Sequence, residues 1–184
     1  MPKVHQGHLD ARRQQIIDAA RARFAGHGFA HTSMADIVTE SGLSTGAIYR
    51  YFKSKDEIVV AVCEQGDNIL PRSLSAEALA QFLEAIRARA RDGHARLVTQ
   101  IYAEAAISPT LALVVQKQLD AGRARIAELV RTERAPTRSD DHSPEQIAEA
   151  FIAICAGFNQ QLAVRGDLDP APFTRALLAV TSDS

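Results

Sequence analysis

The stretch "STGAIYRYFKSKDEI", running from Ser44 to Ile58, decides how the rest of the chain is read. Ser44, Thr45 and Gly46 stand where a helix would start, and small residues there let a helix end come close to something outside it. Tyr49, Tyr51, Lys53 and Lys55 follow within two turns, and their hydroxyls and ammonium groups suit a row of phosphates. Just upstream, Ser41-Gly42-Leu43 separates two short helical segments, and Gly42 tolerates the positive φ that a tight turn between crossing helices requires. Met34, Ile37, Val38, Leu43 and Ile48 can then share a small core with Phe24. Ser44, Thr45, Gly46, Tyr49, Arg50 and Lys53 are left outward. The pattern is a helix-turn-helix whose second helix would enter a DNA major groove.

Working outward, every segment long enough to judge has helical periodicity. Ile16, Ala20 and Phe24 recur every four residues. Leu79, Phe82, Leu83, Ile86 and Ala90 follow i, i+3, i+4, i+7, as do Phe151, Ile154, Cys155, Phe158 and Leu162. No stretch alternates with period two, so the expected class is all-α without a sheet. Punctuation agrees. Ser108-Pro109 and Asp169-Pro170 read as an N-cap followed by proline at the first helical position. Ser143-Pro144-Glu145-Gln146 reads as a capping box, and Ser33 with Asp36 and Ser54 with Glu57 have the same form. The expected helices are nine: about 9–26, 33–40, 44–51, 55–70, 76–91, 94–106, 109–134, 144–165 and 170–181. The polar run from Arg134 to Ser143 is the longest expected loop. The expected domains are a helix-turn-helix head, 1–55, and a larger helical body, 56–184.

The chain has 184 residues, two cysteines and a net charge of −1. A chain of this length buries roughly 70% of its unfolded surface and needs no disulfide or metal staple. Residues 1–55 carry +4 and the remainder −5, a basic head on an acidic body. That asymmetry fits a negatively charged partner at one end. Cys63 and Cys155 lie in apolar helical stretches and read as reduced core residues of a cytoplasmic protein. The N-terminus lacks the apolar core of a secretion signal, and no run of about 18 apolar residues is expected to span a bilayer. His5 with His8, and His27 with His31, have spacings a metal could use, but the first pair sits on an N-terminal arm and the second is split by Gly28. No metal, cofactor or catalytic constellation is expected.

The run "FAGHGFAHTSMADIVTESGLSTGAIYRYFKSKDEIV" resembles the tetracycline-repressor (TetR/AcrR) family of bacterial transcription regulators. The features that carry it are Phe24, Gly28-Phe29, Thr32-Ser33, Asp36-Ile37, Ser41 to Ser44, Gly46, Tyr49-x-Tyr51-Phe52, Ser54-Lys55 and Asp56-Glu57, in order and spacing. The resemblance implies DNA contacts from Thr32, Ser33, Ser44, Thr45, Gly46, Ala47, Tyr49, Tyr51 and Lys55. Ser44, Thr45 and Ala47 would reach base edges or thymine methyl groups. Tyr49, Tyr51 and Lys55 match positions that hold phosphates. Arg12 and Arg13 sit near flanking phosphates, Arg50 occupies a variable slot, and Phe52 belongs in the core.

For the body, the resemblance implies a pocket between the fourth and eighth helices. Polar residues on its apolar helices (Gln65, Asn68, Gln100, Tyr102, Gln118, Asn159) are candidates to orient a ligand, with Tyr102, Gln118 and Phe158 as lining. Gly66 is either a bend in the fourth helix or its end. Ala153, Ala156, Gly157 and Gln160 form a small-residue stripe, and with Leu177, Leu178 and Val180 make the expected dimer surface. The expected function is a homodimeric repressor that leaves an inverted-repeat operator when a small-molecule effector binds. The alternatives are an activator, a regulator without an effector, or a helical sensor that no longer binds DNA.

Overall fold

The computed structural model describes residues 4–65, 69–133 and 142–181, with side chains from Leu9 onward. Gly66, Asn68 and most of the expected 134–143 loop lie outside the described residues. Nine helices and no strand occur among the described residues: α1 (Val4–His27), α2 (Met34–Ser41), α3 (Thr45–Tyr51), α4 (Lys55–Glu64), α5 (Ala76–Ala90), α6 (His94–Ala105), α7 (Pro109–Glu133), α8 (Pro144–Arg165) and α9 (Ala171–Thr181). They follow the expected spans except at two ends. α1 begins at Val4 rather than near residue 9, and α4 stops at Glu64 rather than near residue 70. Gln65 caps α4 at φ −89°, ψ 0°, outside helical geometry. Its side-chain amide pairs reciprocally with that of Gln14, donating at 2.8 Å and accepting at 3.0 Å.

The chain divides into two compact units. One comprises Met1–Gly66 with Gln100–Val114, the other Asp67–Thr99 with Val115–Ser184. In the first, α1 packs on α2 and α4, and α3 follows α2 through the turn. Ile16, Ile17, Phe24, Ile37, Ile48 and Ile58 are fully buried there, or within 1% of it. Burying one such side chain contributes about 1.5–3 kcal/mol, which is ample to order helices of seven and eight residues that would not persist alone.

In the second unit α5, α8 and α9 pack together around Leu79, Leu83, Phe151, Phe158 and Leu177. The Phe82 and Phe151 rings stack at 6.0 Å, and those of Phe158 and Phe173 meet tilted at 4.8 Å. Arg87 of α5 grips Asp167 beyond α8 with two donors, Nε at 2.6 Å and Nη2 at 2.7 Å. That pair holds the Asp167 carboxyl down to about 2, chiefly through the Arg87 hydrogen bond.

Contrary to the expectation from the apolar runs, α8 is long and apolar enough by length and composition to cross a bilayer, with mean hydropathy 1.3 over its best window. The reason is compositional: between Ile147 and Val164 the only charged residue is Glu149. Its large apolar residues Ile147, Phe151, Phe158 and Leu162 are buried in the unit's own core.

Candidate nucleic-acid interface

The α2–turn–α3 element is built from caps. Ser33 starts α2 with a complete capping box: its hydroxyl accepts from the Asp36 N–H at 3.2 Å, and Asp36 Oδ2 accepts from the Ser33 N–H at 2.8 Å. The Ser33 hydroxyl also donates to that carboxylate at 2.7 Å. These bonds, the Ser33 hydroxyl first, hold the Asp36 carboxyl below its ordinary range. At the other end Gly42 adopts φ 66°, ψ 15° and its N–H reaches the Thr39 carbonyl, a left-handed C-cap open to glycine at little cost. Gln15 of α1 donates to the Ser41 carbonyl at 2.7 Å and pins the turn to the first helix. Ser44 then caps α3, accepting from the Ala47 N–H at 3.3 Å. Its hydroxyl hydrogen stays available to an outside acceptor.

The outer face of α3 presents Ser44, Thr45, Gly46, Tyr49 and Arg50, all exposed, with Ala47 half-buried beside them. Tyr49 is 42% exposed although large and aromatic. A Cβ built on Gly46 would meet no atom within 4 Å, so nothing inside the protein requires glycine there. Lys53 lies one turn on, its ammonium donating to the Tyr49 carbonyl at 3.1 Å, which draws a positive charge to the end of the same face.

Three residues expected on the phosphate-facing surface have other neighbours. Thr32 is 1% exposed, and its hydroxyl donates to the Gly28 carbonyl at 2.8 Å, closing the α1–α2 turn. Lys55 donates to the Phe29 carbonyl at 2.9 Å, with its ammonium 4.1 Å from the Phe29 ring centroid. Tyr51 is half-buried and lines a cleft. Lys55 departs from expectation because the α1–α2 turn lies against the start of α4, and Thr32 because the turn's own backbone takes its hydroxyl. Phe52 is in the core as read, with the Arg13 guanidinium 5.2 Å above its ring.

The polar residues considered for a ligand pocket mostly tie helices together. Gln65 pairs with Gln14, Gln100 Oε1 accepts from the Phe29 N–H at 2.8 Å, and Asn159 donates to the Ala95 carbonyl at 3.3 Å. Tyr102 is largely exposed on α6 and Gln118 half-buried on α7, whereas Phe158 is fully buried against Phe173. Of the expected dimer surface, Ala153, Ala156 and Gln160 are exposed, and Gly157, Leu178 and Val180 half-buried. Leu177 is fully buried in the core of its own unit and offers no surface. Val164, at 82% exposure, extends the stripe one turn beyond Gln160, and its i+4 spacing was there to be read.

Among the described residues no group of three His, Cys, Asp or Glu side chains is placed to hold a metal ion. Burial pushes the Cys63 thiol up to about 11, with Glu64 adding to it, and the Cys155 thiol up to about 12. Neither is a thiolate at neutral pH.

The profile of the bacterial regulatory proteins of the tetR family matches residues 16–62, which span most of α1 through α4. A Bacillus subtilis HTH-type regulator, YfiR, is 43% identical over 65 residues, 35% of this chain and 32% of that protein. An HTH-type repressor of Mycobacterium tuberculosis is 37% identical over 79 residues, 43% of this chain and 42% of that one. The chain thus spans a third to under half the length of these relatives. Over nearly the whole chain the fold is similar to that of Salmonella enterica GusR, with TM-score 0.73, 21% identity and 93% coverage of both chains. It also resembles the regulatory protein TetR of Rhodobacter sphaeroides, with TM-score 0.69, 25% identity and coverage of 91% and 97%. With the capped turn and outward α3 in place, the profile lies across them, and residues 16–62 are similar to the tetR family of bacterial regulatory proteins.

Proposed function

We propose that the chain is a cytoplasmic, homodimeric transcription regulator that represses from an inverted-repeat operator and is released by a small-molecule effector. The observation that carries it is Gly46. A glycine in a helix costs about 0.5–1 kcal/mol relative to alanine, and at this position no internal contact or positive φ offsets that cost. A partner surface pressed against α3 accounts for it, and the wall of a major groove is such a surface. In this reading Ser44, Thr45 and Ala47 flank the gap for base edges, while Tyr49 and Arg50 face the phosphates. The repressor names of the mycobacterial relatives favour repression over activation.

Dimerisation is supported by α8, whose outer face offers Ala153, Ala156, Gln160 and Val164 in one row, small enough for close helix approach. Two heads on one two-fold axis read two half-sites. An effector that lowers DNA affinity 100-fold must distinguish the two states by about 2.7 kcal/mol.

The test is a mobility shift on DNA flanking the chain's own coding sequence, with salt varied, followed by selection from random DNA. Saturable binding to an inverted repeat, with affinity falling steeply with salt, is expected. A folded dimer that selects no DNA sequence would overturn the reading.

A further inference from the structure

Between α1 and α2, Phe29 has both of its peptide groups held by side chains from other helices. Its N–H donates to Gln100 Oε1 of α6 at 2.8 Å, and its carbonyl accepts from the Lys55 ammonium at the start of α4 at 2.9 Å. The same carbonyl accepts from the Thr32 N–H at 3.3 Å, so both of its lone pairs are taken. The ring packs on Phe24 with centroids 5.3 Å apart, and the Lys55 ammonium lies 4.1 Å from its centre. The Gln100 amide fits closely, since a Cβ built on Gly28 would meet its Oε1 at 3.8 Å. All these residues belong to the first compact unit.

The turn itself closes without Lys55 or Gln100. Gly28, at φ 88°, ends α1 with its N–H on the Phe24 carbonyl at 3.0 Å, and the Thr32 hydroxyl reaches the Gly28 carbonyl at 2.8 Å. What the two outside side chains add is placement. They fix the turn against α4 and α6, and four residues after Phe29 the Ser33 cap begins α2. The Lys55 ammonium has a carbonyl and a ring face as partners, and reaching for a phosphate would break both contacts.

We propose that Lys55 and Gln100 are positioning residues for the DNA-reading face: they clamp Phe29 by its two peptide groups, and Lys55 acts on DNA through the turn and not by touching a phosphate. The role at DNA rests on the regulator reading, whereas the clamp does not and is tested without DNA.

Amide hydrogen exchange, read residue by residue by NMR on the full chain, reports the clamp. Gln100→Met removes the acceptor at similar volume, and the Phe29 N–H should then exchange at least about tenfold faster. Gln100→Glu keeps an acceptor and should keep the protection. Mobility shift with salt varied reports the role. Gln100→Met leaves the net charge unchanged and should lower affinity about fivefold for all sequences alike, at unchanged salt slope. Lys55→Met should lower affinity about tenfold, with the slope falling by well under the roughly one unit that a lost phosphate contact removes. Because both side chains act on one residue, the double variant should lose clearly less than the product of the single losses. Unchanged Phe29 exchange in folded Gln100→Met would overturn the clamp. A slope reduced by a full unit in Lys55→Met, or multiplicative losses in the double variant, would overturn the positioning role. If the wild-type chain selects no DNA, the regulator reading fails and the exchange measurement still decides the clamp.

Discussion

Gly42 and Gly46 stand four residues apart, at the turn and on the recognition helix, and they are glycines for opposite reasons. Gly42 sits at φ 66°, where a β-carbon is strained, although open space surrounds it. Gly46 has ordinary helical backbone and equally open space, so neither conformation nor packing calls for it. The turn is explained by the fold alone. The glycine on the helix face is not explained by any contact within the fold. In the proposed reading, the comparison separates residues that build the head from residues that meet DNA.

The strongest test of that separation is Gly46→Ala. DNA affinity should fall by about 100-fold, ~2.7 kcal/mol, while stability rises by about 0.5–1 kcal/mol because alanine favours helix. Mobility shift and urea denaturation on the same preparation read both signs. A loss of binding accompanied by a loss of stability would place Gly46 with Gly42. The reverse pattern is expected at the turn. Gly42→Ala should destabilise by about 1–2 kcal/mol in denaturation, with DNA affinity per folded molecule nearly unchanged.

Ser33→Ala sharpens the building side. Loss of the cap should cost about 1 kcal/mol, and its pH dependence carries a sign. Asp36 has a folded-state pKa below its ordinary 3.8, chiefly through the Ser33 hydroxyl. That stabilisation is complete above 3.8 and disappears as pH falls through the lower folded value. The melting-temperature gap between wild type and variant should therefore narrow as pH falls from 6 to 3, and a constant gap would contradict the coupling. The smallest expected effect tests the reading side: Arg50→Ala should reduce the slope of log affinity against log salt by about one unit, for all sequences alike. A change confined to one operator variant would make Arg50 a base contact instead.

The legibility of the molecule divides along similar lines. The helices of the described residues, the Gly42 turn and the capping boxes at Ser33 and Ser143 were readable because each depends on residues within about four positions of one another. The outward face of α3 was readable from the same periodicity, as Ser44, Thr45, Gly46, Tyr49 and Arg50 show. Thr32 and Lys55 were assigned outward by resemblance; Thr32 instead bonds Gly28 within its own turn, and the partner of Lys55 comes from the meeting of that turn with α4. Lys55 finds Phe29 26 positions away. Gln100 finds the same residue 71 positions away, and Gln65 finds Gln14 51 away.

No local pattern encodes such pairs, because a glutamine on a half-buried helix face reads alike whether it orients a ligand or ties two helices. Leu177 and Leu178 are likewise adjacent leucines in one periodic run, yet the first is fully buried and the second only partly. The sequence by itself determined the helices, most of their ends and the helix-turn-helix, since caps, turns and periodicity are short-range physics. Which polar side chains are free to meet a partner was decided only by tertiary structure, since that depends on what the fold brings against each of them.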